Sequence, residues 1–218
     1  APEAALARTT HLAIGAHQDD LEIFAYHGIE NNWQHLKTPL RGPYQVQNAA
    51  LALAASELLI RDKAAITLES LKQGLANTRW PGRLEIVCDR PLVILDGAHN
   101  LIAARNLARF LADNLTKRRI TLVIGILDDK PYRRMLKSLL PVADRVIFTE
   151  AEIGRALPAG RLAETVSGSK AKIEIVGKVP DAVQRALDSL PDHGLICIAG
   201  SLYVVGEAKS AFDKNAIK

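Results

Sequence analysis

From Leu92 to Gly200 the chain alternates short apolar runs with stretches whose apolar residues recur at helical spacing. No other feature restricts its fold so tightly. The runs are LVIL (92–95), ITLVIGIL (120–127), RVIFT (145–149), KIEIV (172–176) and GLICIAG (194–200). An uninterrupted apolar run of this length is what a strand buried on both faces requires. Between the runs, residues 101–115 place Leu101, Leu107, Ala108 and Leu111 on one helical face, and residues 131–140 do the same with Tyr132, Met135, Leu136 and Leu139. Pro158 and Pro180 stand where the first turn of a helix tolerates proline, and Val183, Leu187 and Leu190 follow the second at helical spacing. Strand, helix, strand, repeated, predicts an α/β fold: a Rossmann-like, mostly parallel sheet of five strands with helices on both faces. Ligands of such sheets collect outside the carboxyl ends of the strands. The polar residues Asp96, Gly97, Ala98, His99 and Asn100, which end the run PLVILDGAHN, are therefore expected at a site; the competing reading is a strand-to-helix turn that Asp96 and Asn100 merely cap.

The first 80 residues read differently. QVQNAALALAASELLI (45–60) predicts an alanine- and leucine-rich helix, apolar on most sides and so buried. Before it, HLAIG, LEIFAY and QHLKTPL within residues 11–41 predict short strands that are not expected to make a core of their own. TRWPGR (78–83) holds the proline and glycine of a linker. The expected division is a tail of a preceding domain over residues 1–77, a linker over 78–84 and a complete α/β domain over 85–218. Beginning at Ala1 without a methionine, the chain is expected to be a fragment or a processed product.

Several function classes lose support at this point. The formal charge of +4 is modest, and the basic cluster Lys117-Arg118-Arg119 has no interleaved aromatics, so nucleic acid is not an expected partner. No run of about 18 apolar residues exists, and no signal pattern opens the chain; a cytoplasmic protein with no membrane partner is expected. Cys88 and Cys197 lie inside strand-like runs and are read as reduced thiols. Neither G-x-x-x-x-G-K-[ST] nor a G-x-G-x-x-G after a strand occurs. A Ser201–His99–Asp96 triad is disfavoured, because Ser201 lies in GSL rather than in a G-x-S-x-G elbow. His11 and His17 are six apart with no third metal ligand.

Four stretches remain: GPYQVQNAA (42–50), WPGRLE (80–85), LDGAHN (95–100) and GSLYVVGE (200–207). In this order and at these intervals they resemble the folylpolyglutamate synthase/dihydrofolate synthase family of the Mur ligase superfamily, over essentially the whole chain. The resemblance implies an ATP- and magnesium-dependent ligase that joins glutamate to a folate, or to dihydropteroate, through an acyl phosphate. It also implies that the phosphate loop and most magnesium ligands precede Ala1, so that the isolated chain is expected to be inactive and to act, within the longer protein, as a monomer.

The family's roles fall on particular residues here. Asn48 matches an adenine-contacting asparagine, and its amide both donates and accepts; otherwise it is a surface helix residue. Arg83 would present a planar fork to phosphate oxygens. Asp96 would contact the nucleotide around ribose and phosphates, and His99 would face the γ-phosphate and glutamate. These two are the expected catalytic residues. Ser201 would hold a glutamate carboxylate, and it is also a candidate helix N-cap. Lys130 in GILDDK is a further candidate at a strand end. No metal ligand is assigned within the chain. Tyr44-Gln45 departs from the family's His-Gln, and Leu101 stands where a proline usually follows His-Asn. The alternatives are another Mur-type amide ligase and a non-catalytic Rossmann-like module that binds a nucleotide or a partner.

Overall fold

The structure, a computed structural model, describes residues 21–115, 118–166 and 168–214, together with the backbone of 8–13. The chain divides into two compact units, Ala1–Leu84 and Glu85–Lys218.

In the first unit β1 (Arg8–Ala13), β2 (Glu22–His27) and β3 (Asn32–Thr38) pair antiparallel in chain order, followed by α1 (Pro43–Arg61) and α2 (Leu68–Asn77). Contrary to the sequence reading, these strands do make a small core. Phe24, Tyr26, Trp33 and Leu36 pack with Val46, Ala49, Ala50, Leu53 and Ala54 of α1, while Leu71 and Leu75 of α2 close its margin. Helix α1 is also less buried than its composition suggests. One face is covered, but Leu51 and Leu59 on the other are 60% and 52% exposed. Alanine-rich helices have no strongly polar side, so composition cannot say which face is covered.

One buried carboxylate ties this unit together. Glu57 of α1 accepts hydrogen bonds from Tyr26 Oη (2.7 Å), Ile29 N (3.2 Å), Asn31 N (2.9 Å) and Asn31 Nδ2 (2.9 Å). Burial alone would raise its pKa, yet these donors outweigh burial and hold the carboxyl below its ordinary value.

The second unit begins with a strand that the periodicity did not reveal. β4 (Glu85–Asp89) runs antiparallel to β5 (Leu92–Asp96), so the sheet has six strands rather than five. Its sequence, EIVCD, mixes polar and apolar residues as an edge strand can, and so it carries no long apolar signal. After β5 come α3 (Leu101–Asn114), β6 (Ile120–Ile124), α4 (Tyr132–Leu139), β7 (Arg145–Glu150), α5 (Ala159–Ala163), β8 (Lys172–Lys178), α6 (Val179–Asp188), β9 (Leu195–Ala199) and α7 (Leu202–Asp213). The sheet order is β4-β5-β9-β6-β7-β8, all parallel except β4. The last strand thus inserts between β5 and β6. Val93, Leu95, Ile196, Ile198, Val123 and Ile147 face α6 and α7 across a core of valine, isoleucine and alanine. Alternation turns Ile94, Cys197, Leu122 and Phe148 to the opposite face, where α3 packs against α4. Of the two free cysteines, Cys197 is fully buried and Cys88 half-buried.

The run ITLVIGIL does not continue as a strand to Leu127. The ladder stops at Ile124, and at the next position a Cβ on Gly125 would lie 2.6 Å from the Thr149 carbonyl oxygen, where only glycine fits. Gly200 ends β9 in the left-handed region (φ +106°), and a Cβ there would lie 2.4 Å from the Gly125 carbonyl oxygen. Two glycines therefore let neighbouring strands approach at the carboxyl edge.

The amino edge is closed by ion pairs instead. Arg145 grips Glu174 with Nε (3.1 Å) and Nη2 (2.7 Å), Arg185 adds Nε at 3.1 Å and Lys172 adds Nζ at 3.2 Å. The Arg145 hydrogen bonds, with those of Lys172 and Arg185, hold the Glu174 carboxyl down at about 2 against the burial that opposes them.

Candidate functional site

Asp96 is the last residue of β5 and is buried (3% exposed), in register with Ala199 of β9. The chain then turns through Gly97 and Ala98. The His99 Nδ1–H donates to the Gly97 carbonyl oxygen at 2.8 Å, since a carbonyl can only accept. That bond fixes the tautomer and leaves Nε2 as the acceptor of the neutral ring. Asn100, in extended backbone conformation (φ −143°), caps α3: its Oδ1 accepts from Ala103 N at 2.9 Å. The capping reading of this stretch therefore holds for Asn100, while Asp96 stands at the strand end.

Ser201 repeats the arrangement one strand over. It follows Gly200 and caps α7, accepting from Val204 N at 3.1 Å, and it is 1% exposed. With Oγ accepting, its hydroxyl proton remains to be donated. The starts of α3 and α7 thus stand at the carboxyl ends of two paired strands, where unsatisfied N–H groups and the positive ends of the helix dipoles favour an anion.

Lys130 leaves the same edge by the connection from β6 to α4. Its Nζ lies 2.7 Å from Asp129 Oδ2, and Arg155 Nη2 lies 3.0 Å from the other oxygen, Oδ1. The hydrogen bonds from Lys130 and Arg155 hold the Asp129 carboxyl below its ordinary value. The structure therefore brings Asp96, His99, Lys130 and Ser201 to one edge of the sheet. It adds Arg155, which the motifs did not contain, and gives a partner role to Asp129, which GILDDK held without one. The signal for Arg155 was positional: it follows β7, and every parallel strand of such a sheet delivers its next loop to the same edge.

Asn48 and Arg83 belong to the first unit. Asn48 sits exposed on α1, its Nδ2 donating to Gln45 Oε1 at 3.0 Å, which leaves its Oδ1 outside that bond. Arg83 is half-buried between Gly82 (φ +70°) and the buried Leu84 (φ +47°). Two successive left-handed turns about one arginine define the local path of its backbone. Among the described residues, no group of three or more His, Cys, Asp or Glu side chains forms a metal cage, and no helix is long and apolar enough to cross a membrane. Lys117 and His17 lie outside the described residues, as does the side chain of His11.

The sequence profile of the Mur ligase, glutamate ligase domain matches residues 82–202. A dihydrofolate synthase/folylpolyglutamate synthase of Bacillus subtilis is 34% identical over 190 residues, covering 86% of this chain and 44% of that protein. The Mycobacterium tuberculosis folylpolyglutamate synthase complexed with ADP superimposes with a TM-score of 0.83 at 27% identity, over 94% of this chain and 47% of the other. A bifunctional folylpolyglutamate synthase/dihydrofolate synthase of Yersinia pestis, complexed with AMPPNP and Mn, gives 0.74 at 27% identity, over 87% and 44%. The chain spans somewhat less than half the length of these relatives. Matched over more than half its residues, the chain belongs to the Mur ligase family through its glutamate ligase domain.

Proposed function

We propose that this chain is the C-terminal portion of an ATP-dependent acid–amino-acid ligase of the folylpolyglutamate synthase/dihydrofolate synthase type, which adds glutamate to a folate or to dihydropteroate. The observation that carries the reading is the carboxyl edge of the sheet. There Asp96, His99, Lys130 and Ser201 stand at or just after the carboxyl ends of β5, β6 and β9, within a segment matched by the glutamate ligase domain.

In the proposed reaction the γ-phosphoryl group of ATP passes to the folate carboxylate. The glutamate amine then attacks the acyl carbon, and phosphate leaves. Two demands follow for this chain's residues. The glutamate ammonium must lose a proton before it can attack, and His99 accepts it; the Nδ1–Gly97 bond, which leaves Nε2 as the acceptor, supports that role. Glutamate's carboxylate must be held, and the Ser201 hydroxyl with the first N–H groups of α7 supplies donors for it. Asp96 bonds the nucleotide's hydroxyl groups, Asn48 reads the adenine edge and Arg83 pairs with phosphate oxygens. Lys130 adds positive charge at the same edge. Magnesium, when bound, would neutralise phosphate charge.

The test is ATP-dependent incorporation of labelled glutamate by the complete polypeptide that carries this chain, offered dihydropteroate, tetrahydrofolate and a muramyl-peptide acceptor in parallel. Glutamate addition to either pterin substrate is the expected result. Addition to the cell-wall acceptor alone, or no addition by well-folded protein, refutes the reading.

A further inference from the structure

The loops after β6 and β7 are joined by their backbones before any side chain is considered. Asp128 N donates to Arg155 O at 3.0 Å, Leu157 N donates to Ile126 O at 3.0 Å, and Leu127 bridges Ala156. A second tie leads to α7, where Glu207 accepts from Glu152 N at 2.8 Å. The loop that carries Arg155 is thus fixed against both the Lys130 loop and the helix that Ser201 caps. Arg155 also feels the charge of Asp128. Since the backbone already sets these loops, the Asp129 contacts with Lys130 and Arg155 are not needed to hold them. An exposed ion pair stabilises a fold by little. What the contacts do is aim two flexible cations.

We propose that Arg155 is a further carboxylate-binding residue of this site and that Asp129 is its positioning residue, the pair selecting a dicarboxylic amino acid over its neutral analogues. The inference rests on the glutamate-ligase reading above. A guanidinium carries five N–H donors in a fixed fork, and Asp129 engages Nη2 alone in the 3.0 Å bond. The fork can therefore be held by one carboxylate and still present an edge to another. The cluster is charge-balanced, Asp128 and Asp129 against Lys130 and Arg155, so it is no general anion trap. A ligand must meet the guanidinium directionally. The proposal gives glutamate's two carboxylates one partner each, Ser201 and Arg155; glutamine has only one carboxylate to offer.

The experiment is an NMR titration of this chain with glutamate and, separately, glutamine at constant sodium concentration. It follows the amides of residues 97–100 and 200–203 and the Arg155 Nε–H. Glutamate is expected to shift all three sets. Arg155→Ala weakens glutamate binding about tenfold, as loss of a charge-assisted bond implies, and leaves glutamine binding unchanged. Arg155→Lys restores part of the loss, and Asp129→Asn lowers the preference for glutamate over glutamine without moving the thermal melt. If Arg155→Ala binds glutamate like the parent while residues 200–203 still shift, the inference falls and the proposed function stands. An Asp129→Asn variant with parental selectivity overturns the positioning role. If glutamate shifts none of these amides, the inference falls together with the glutamate half of the proposed function.

Discussion

Replacing Gly200 by alanine tests the geometry of the carboxyl edge most directly. The new Cβ would lie 2.4 Å from the Gly125 carbonyl oxygen and 3.0 Å from both the Gly125 carbonyl carbon and Ile124 Cγ1. Two of these three atoms are backbone, so relief requires β6 and β9 to part where Gly125 N bonds Ala199 O at 3.3 Å. The left-handed φ of +106° adds strain of about 1–3 kcal/mol for a residue with a Cβ. Overpacking adds about 1–3 kcal/mol more. A loss of about 4 kcal/mol is a large part of the roughly 5–15 kcal/mol that holds a domain folded. Gly206, in the middle of α7 with open space around its Cα, is the matched control: alanine there gains about 0.5–1 kcal/mol of helix propensity. Urea unfolding followed by far-UV circular dichroism measures both. Both tryptophans, Trp33 and Trp80, lie in the first unit, so tryptophan fluorescence on the same samples reports that unit separately and is expected not to move. If Gly200→Ala stays within about 1 kcal/mol of the parent, or shares the sign of Gly206→Ala, the close approach of the two strands is wrong.

Three other outcomes follow from the same structure. His99→Ala and Asp96→Asn in the complete ligase are expected to melt near the parent temperature and to lose about 10²–10³ in glutamate-adding turnover, read by steady-state kinetics with thermal melts; asparagine is chosen because Asp96 is buried and alanine would leave a gap. The Glu174 carboxyl, held at about 2 in the fold, contributes stability above its unfolded value near 4.3 that is lost as pH falls toward 2. Glu174→Gln should therefore cost about 1–2 kcal/mol at pH 7, screening included, and the gap from the parent should close between about pH 5 and 2 in denaturant titrations. Glu57→Ala strands the donors of Tyr26, Ile29 and Asn31, and it should cost about 3 kcal/mol in the tryptophan-reported transition while the second unit unfolds as before.

Periodicity made the parallel strands and their covering helices legible, because a strand buried on both faces favours apolar residues at nearly every position, as LVIL, ITLVI and LICIA show. Local chemistry likewise marked Asn100 and Ser201 as helix caps, since a cap needs only its own side chain and the next turn. Strand order was beyond that reach: β9 lies between β5 and β6 because of contacts among residues a hundred positions apart, which no window of sequence contains. The edge strand β4 was missed because half-burial erases the apolar run, and the exposed face of α1 because alanine and leucine line both sides. The motifs named Asp96, His99, Lys130 and Ser201 one at a time. Only the tertiary structure sets them along one edge and brings Arg155 to Asp129 across 26 residues of chain, because parallel pairing delivers every strand's carboxyl end to the same side.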